Sequence, residues 1–158
     1  MTTWIQFTQQ QPALAAAGRD LLYEFGGIGL GFLATVRPDG GPRVHPVCPV
    51  ISAAGLHLLI VPGPKLGDLR RDPRYSLHSE TFPPPREDDG FAVTGTAAEI
   101  SDPGTARVVR DQVRADRGQP WPDYDRLTLF ELSVARCLLT RTQPDGTFAA
   151  GPTVWKAG

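Results

Sequence analysis

Lys65 stands where a helix does not favour a cation. In the stretch "VPGPKLGDLRRDP", Gly63 and Pro64 have the types expected at the cap and first position of a short helix. Lys65 then falls in the first turn, at the positive end of the helix dipole. Two kinds of site put a lysine there. One is an ordinary solvated surface lysine, at a cost of a few tenths of a kcal/mol. The other is an anion site, in which the unpaired N–H groups of the helix start and the ammonium hold a phosphate together. The preceding apolar run, "GLHLLIV", would then carry the body of the ligand. Arg70 and Arg71 fall in the last turn, where their charge suits the dipole, so they read as structural or surface residues.

A second candidate surface lies upstream, in "GPRVHPVCPVI". Arg43 and His45 alternate on one face of a strand, and Val44 and Pro46 on the other. Pro46 and Pro49 lack an N–H and, three residues apart, face opposite neighbours. The strand therefore needs a bulge or an open edge near Pro46. Backbone released from a ladder is available to a ligand, and His45 sits beside it.

Other chemistry finds little support. There is no GxSxG elbow, no GxGxxG loop, and no CxxC or HxxxH pair. "GGIGLG" follows a helix instead of a strand and reads as a helix stop. His57 and His78 lie on separate strands, so no metal site is expected. Cys48 and Cys137 stand in the apolar contexts "PVCPV" and "ARCLL" and read as buried, reduced thiols. The carboxylates of "REDDG" read as a solvated loop. No catalytic side chain is evident, and any reaction is expected to belong to a bound cofactor.

The elements that must position these residues follow from periodicity. "QPALAAAGRDLLYEFGG" is a helix ended by Gly26 and Gly27. "GFLATV", a turn at Asp39-Gly40, and the proline-interrupted segment form a hairpin. "GLHLLIV", "RYSLHSE" and "FAVTGTAAEI" are further strands. Gly95 in the last of these predicts a bend or the close approach of another backbone. "SDPGTARVVRDQVRADRG" is a helix capped by Ser101 or Asp102, with Pro103 in its first turn. "LTLFELSVARCLLTRT" is a long bent strand or a strand pair, and "PDGT" turns the chain into a last strand, "TVWKAG". The sum is six or seven strands and about three helices, mainly β with packed helices (α+β). Most strands are joined by turns, which favours an antiparallel barrel over an alternating α/β sheet.

The chain has 158 residues, enough for one domain over 1–158 with its own core. Its formal net charge of -1 argues against a nucleic-acid partner, which calls for a basic face. The amino terminus has no basic start and no apolar run, and "LHLLIV" is too short to span a bilayer. The expectation is a cytoplasmic protein without a membrane partner.

The order of "LATVRPDGGPRVHPV", "GLHLLIVPGPKLGDLRRDPRYSLH", "GTAAEI", "LFEL" and "VWKAG" resembles the pyridoxamine 5'-phosphate oxidase-like superfamily of FMN-binding split β-barrels. The Lys65, Leu69, Pro73, Arg74 spacing is its most specific part. The resemblance implies a Greek-key split barrel that forms a homodimer with the flavin between subunits. It implies cofactor contacts from Arg43, Val44, His45 and Pro46, from Ile60 and Val61, from Lys65 on the phosphate, and from Trp155 near the ring. It implies an FMN-dependent oxidoreductase that passes hydride to or from a small organic substrate. A deazaflavin coenzyme is the alternative cofactor, and a non-catalytic flavin- or haem-binding protein the alternative function. The chain departs from the oxidases proper in stopping soon after Trp155 and in carrying Ile60 and Val61 where they have a Tyr-Thr pair, which speaks against vitamin B6 oxidation.

Overall fold

The computed structural model describes residues 1–118, 126–143, 145, 147 and 151–158. Nine strands and four helices occur among them. In chain order they are α1 (Trp4–Gln10), α2 (Pro12–Leu22), β1 (Gly31–Val36), β2 (Pro42–Val47), β3 (Val50–Ser52), β4 (Gly55–Ile60), α3 (Pro64–Arg71), β5 (Arg74–Ser79), β6 (Gly90–Glu99), α4 (Pro103–Arg117), β7 (Thr128–Leu132), β8 (Arg136–Thr140) and β9 (Thr153–Lys156). The antiparallel barrel class expected from the sequence is the one found. The strand count is higher because the proline-interrupted segment breaks into β2 and β3 at Cys48-Pro49, and because "LTLFELSVARCLLTRT" is a strand pair. The helix count is higher because α1 precedes the first expected helix. Its Thr3 cap accepts from the Gln6 N–H while the Gln6 side chain accepts from the Thr3 N–H, a capping box. The turn expected at 144–147 lies partly outside the described residues.

The sheet runs β2-β1-β5-β6-β7-β4-β3, with β8 on β6 and β9 on β8. β5, β6 and β7 are neighbours in sequence order and β4 lies beside β7, which is a Greek key. β2 and β3 follow one another in the chain yet occupy the two ends of this path. The sheet must therefore curl to bring its ends together, and the gap between them is the split of the barrel.

β6 serves two partners along one edge. Residues 90–94 pair with β8, and residues 97–99 with β7. Gly95 marks the changeover: a Cβ there would lie 2.0 Å from the Ser133 carbonyl oxygen. The close approach that Gly95 predicted is thus present. The adjacent Thr96 N–H donates to Ser133 Oγ (3.0 Å).

The main core fills the concave side, with Leu33, Leu56, Leu58, Leu77, Phe91, Phe130 and Leu132 all under 2% exposed. Trp4 and Phe7 of α1 and Leu21 and Leu22 of α2 close it. A smaller cluster of Val50, Val109, Val113 and Leu129 holds α4 against β3, β4 and β7. Among the described residues, no element buries the convex face of β2-β1-β5-β6-β8-β9. Register aligns Pro46, Phe32, His78, Ala92, Leu138 and Val154 across it, all of them partly or fully exposed.

One expectation is overturned here. Asp89 of "REDDG" is buried, not solvated. It accepts from the Thr142 N–H (2.7 Å), Arg86 Nε (2.9 Å) and Arg141 Nη1 (3.4 Å). Burial alone would raise its pKa, but these donors outweigh burial and hold it below the usual carboxylate range.

Candidate functional site

The cleft at the split begins with α3. Gly63 caps the helix, Pro64 opens it, and Asp72 ends it before Pro73, as the sequence requires. No side chain caps this start. The Gly63 carbonyl accepts from the Leu66 N–H (3.1 Å) and Gly67 N–H (3.2 Å). Lys65 lines the cleft at this point. Burial holds its ammonium below lysine's ordinary range. Among the described residues it has neither a hydrogen bond nor an ion pair. A half-desolvated cation with no counter-charge is costly and is relieved by an anion.

The opposite wall is the strand break. Pro46, Val47, Cys48, Pro49 and Val50 line the cleft in succession. Its floor includes Gly29, whose missing side chain lets the Pro49 carbonyl approach; a Cβ would lie 1.9 Å from that oxygen. Leu59 and Val61 come from the end of β4, and Val113, Asp116 and Arg117 from the last turns of α4. The enclosed volume is about 150 Å³. This is below the roughly 300–1,000 Å³ of sites that enclose a whole drug-sized ligand. One chain therefore supplies room for a phosphate or part of a ring, with an open side.

β2 behaves as an edge strand. The Arg37 N–H donates to the Gly41 carbonyl at the hairpin end (2.8 Å), so pairing alternates to place Arg43, His45 and Val47 in hydrogen-bonded register with β1. Pro42 and Pro46 then direct their missing N–H groups to the open edge and break no ladder bond. The two faces divide as the alternation predicts. Val44 is 60% exposed on the convex face, whereas Arg43 turns toward α3.

There Arg43 meets Asp68, which is 2% exposed. The Asp68 carboxylate accepts from Arg43 Nε (2.6 Å), Thr35 Oγ1 (3.0 Å) and Arg71 Nη2 (3.2 Å). Burial alone would raise its pKa, but these three donors hold it below the usual range. Sequence reading passed over Asp68, although an Asp three residues after Lys65, on an otherwise basic helix, was a readable signal. Arg43 is accordingly tied into the fold through this pair, whereas Lys65 has no partner among the described residues.

His45 lies between these groups. Partial burial, then the charges of Lys65 and Arg43, lower its pKa, so the imidazole is neutral near pH 7. Its Nε2 is closed off from solvent and has no partner among the described residues. The imidazole therefore sits behind the cleft wall: of the expected site residues, Arg43, Val44 and His45 do not line the cleft, and the Lys65 ammonium is the group on its wall that fits an acidic ligand. Of the other expected contacts, Pro46 and Val61 line the cleft with Lys65, while Ile60 is buried in the main core. Trp155 packs on Phe7 (ring centroids 4.9 Å apart) in β9, five strand spacings from β2, or about 24 Å along the sheet. Within one chain it is not brought to the cleft.

The cysteines differ from expectation too. Cys137 is buried, but Cys48 is only half-buried and lines the cleft, because the strand breaks at that residue. Among the described residues no three His, Cys, Asp or Glu side chains converge as metal ligands, and no helix is long and apolar enough to cross a membrane.

No protein-family model and no curated protein matches the chain. Solved structures do. A conserved hypothetical protein from Mycobacterium tuberculosis aligns at 23% identity and TM-score 0.59, over 68% of this chain and 74% of that one. A haem-binding protein from Mycobacterium smegmatis aligns at 19% identity and TM-score 0.63, over 89% of this chain and 57% of that one. A Clostridium acetobutylicum protein described as related to general stress protein 26, of the pyridoxinephosphate oxidase family, aligns at 12% identity and TM-score 0.63, over 90% and 93%. At these identities the likeness is one of fold. The chain has the split β-barrel that pyridoxamine 5'-phosphate oxidase-family proteins and haem-binding proteins share.

Proposed function

We propose that the cleft holds the phosphate end of FMN and that the chain is a flavin-dependent oxidoreductase working as a homodimer. The observation that carries this reading is Lys65: a half-buried ammonium without a counter-ion, at an uncapped helix start, on the wall of an open cleft. Lys65 would take the phosphate, with the neutral His45 beside it. Pro46, Val61 and the exposed Val44 would offer apolar surface to the ring. Arg43 would act through Asp68, fixing β2 against α3. The flavin, when bound, supplies two-electron hydride chemistry, and the protein's part is to bind, orient and exclude water.

What one chain lacks supports the homodimer reading. The cleft is too small for a whole nucleotide, and its wall at Pro46 continues into the uncovered, largely apolar convex face. The residue expected near the ring, Trp155, lies at the far margin of the sheet, so on this reading it is the second copy's Trp155 that approaches.

Titration of the apoprotein with FMN tests the site. Lys65→Ala removes one charge-assisted contact and is expected to weaken binding by about 1.5–3 kcal/mol, roughly 10- to 150-fold. Equal affinity in variant and parent would take Lys65 out of the site. A deazaflavin coenzyme titrated in parallel identifies the preferred ring. A second reading, haem binding without turnover, draws on haem-binding proteins among the fold neighbours. A Soret band after addition of haem separates it from the flavin reading.

A further inference from the structure

His57, in the middle of β4, is 0% exposed, and neither of its ring nitrogens has a hydrogen-bond partner among the described residues. Folded proteins pair nearly all such buried groups, so this one calls for a reason. Strand alternation turns it away from Leu56, Leu58 and Ile60 of the main core. Val50 of β3 lies directly across from it on one side and Glu131 of β7 on the other. Val50 and Leu59, on the same face, pack in the cluster that holds α4 to the sheet through Val109 and Val113. His57 is thus sealed at the joint between α4 and the sheet. The charged groups on this side are few. Glu131 borders the space above Gly55 together with the imidazole, but no hydrogen bond joins the two side chains. On α4, Arg110 has an interaction of its own, and Asp116 and Arg117 reach Tyr23 (3.3 Å) and Cys48 (3.4 Å). β3 brings no charged side chain. Burial lowers the His57 pKa, the Gly55 backbone offsets part of this, and none of these charges contributes. The joint is also a wall of the cleft, which Val50, Leu59 and Val113 line.

We propose that His57 makes α4 an acid-released wall of the cleft: a proton on the buried imidazole is neither hydrated nor paired while the joint is shut, so acid lifts α4 from β3 and β4 and opens the cleft. The closed joint holds the imidazole neutral, and the opened one lets it bind a proton. Closure is therefore complete above the ordinary imidazole value of about 6.5 and is lost as pH falls below it, through the lowered value of the closed form. That window lies above the one in which carboxylates titrate. The cluster that holds α4 is small, which makes this helix the element able to open without the main core. The inference goes beyond the flavin reading and does not depend on it, since the joint needs no ligand.

The test is amide hydrogen exchange of the whole chain without ligand, at pH 7 and pH 5, read by mass spectrometry and corrected for the intrinsic effect of pH. Protection of α4 is expected to fall several-fold, with a ceiling of about 25-fold for one imidazole that titrates at about 6.5 only in the opened state. Protection of α2 and β1 is expected to stay as it is at pH 7. His57→Leu keeps an apolar side chain of similar size at the joint and is expected to abolish the α4 response; His57→Gln, neutral at both pH values, is expected to do the same. His45→Gln, which removes the other imidazole of lowered pKa, is expected to keep the response. Unchanged α4 protection in the parent would overturn the proposal, since His57 would then stay neutral or take its proton within the closed joint, against Glu131. A loss shared equally by α2 and β1, or one that persists in either His57 variant, would overturn it too. If neither variant folds, the parent decides by the NMR titration of His57: an imidazole that takes up its proton while α4 stays protected refutes the release. Failure of FMN to bind would leave these outcomes as they stand.

Discussion

Asp68→Asn probes the group that fixes the site's geometry. In the folded chain Oδ2 accepts from Arg43 Nε and Thr35 Oγ1, and Oδ1 from Arg71 Nη2. An asparagine amide presents one oxygen and one N–H₂. Whichever way it turns, its N–H₂ faces a donor, so at least one of these bonds becomes a repulsion. The charge is lost as well, and Arg43, with its side chain 23% exposed, is left without its partner. Removing one member of a buried pair costs about 3–5 kcal/mol. Because Arg43 and Arg71 keep some contact with water, we expect about 2–4 kcal/mol. For a chain of this size that lowers Tm by about 4–16 °C. Urea or thermal unfolding of parent and variant, followed by circular dichroism, gives the number. Asp72→Asn is the milder comparison, since its partner Arg74 is exposed and an asparagine keeps an oxygen for the Arg74 N–H; a loss under about 1 kcal/mol is expected. An Asp68→Asn midpoint indistinguishable from the parent's would refute the assignment of Asp68 as the link between β2 and α3.

The same pairs set the response to acid. Asp68 and Asp89 have folded pKa values below their unfolded ones, so their stabilisation is complete above pH about 4 and is lost as pH falls through the folded values. A stability curve from pH 7 to 2 should therefore drop below pH 4, and the drop should be shallower in Asp68→Asn. Gly95→Ala must displace the Ser133 carbonyl and should destabilise by about 1–3 kcal/mol or more in urea unfolding; an unchanged midpoint would remove the close contact from the account. If the proposed homodimer forms through the convex face, Val44→Glu places a charge there and should shift it to monomers in sedimentation; a parent chain that is already monomeric at micromolar concentration would refute the dimer.

Much of this was readable from residue types. The α3 start was legible because glycine and proline have few other uses in that order, and Gly63 is the cap and Pro64 the first residue. The open edge at β2 was legible from its prolines, and the crossing at Gly95 from its missing side chain. What was not legible depends on contacts distant in sequence. Asp89 is buried because Thr142 and Arg141, more than fifty residues on, converge on it. Arg43 is engaged because α3 returns over β1 and β2 and delivers Asp68. Cys48 faces the cleft because the strand ends one residue before it, a boundary that local propensity does not set. Trp155 was placed near the cofactor by resemblance alone, and within one chain it serves the core against Phe7.

The proline spacing of β2 bears on how copies of this chain can meet. Exposed sheet margins invite a neighbour to add a strand, the first step toward runaway aggregation. On this margin, Pro42 and Pro46 leave Val44 as the one residue between them able to offer an outward N–H. No continuous zipper can start there, so this margin resists the addition of a further strand while its side chains stay open to contact.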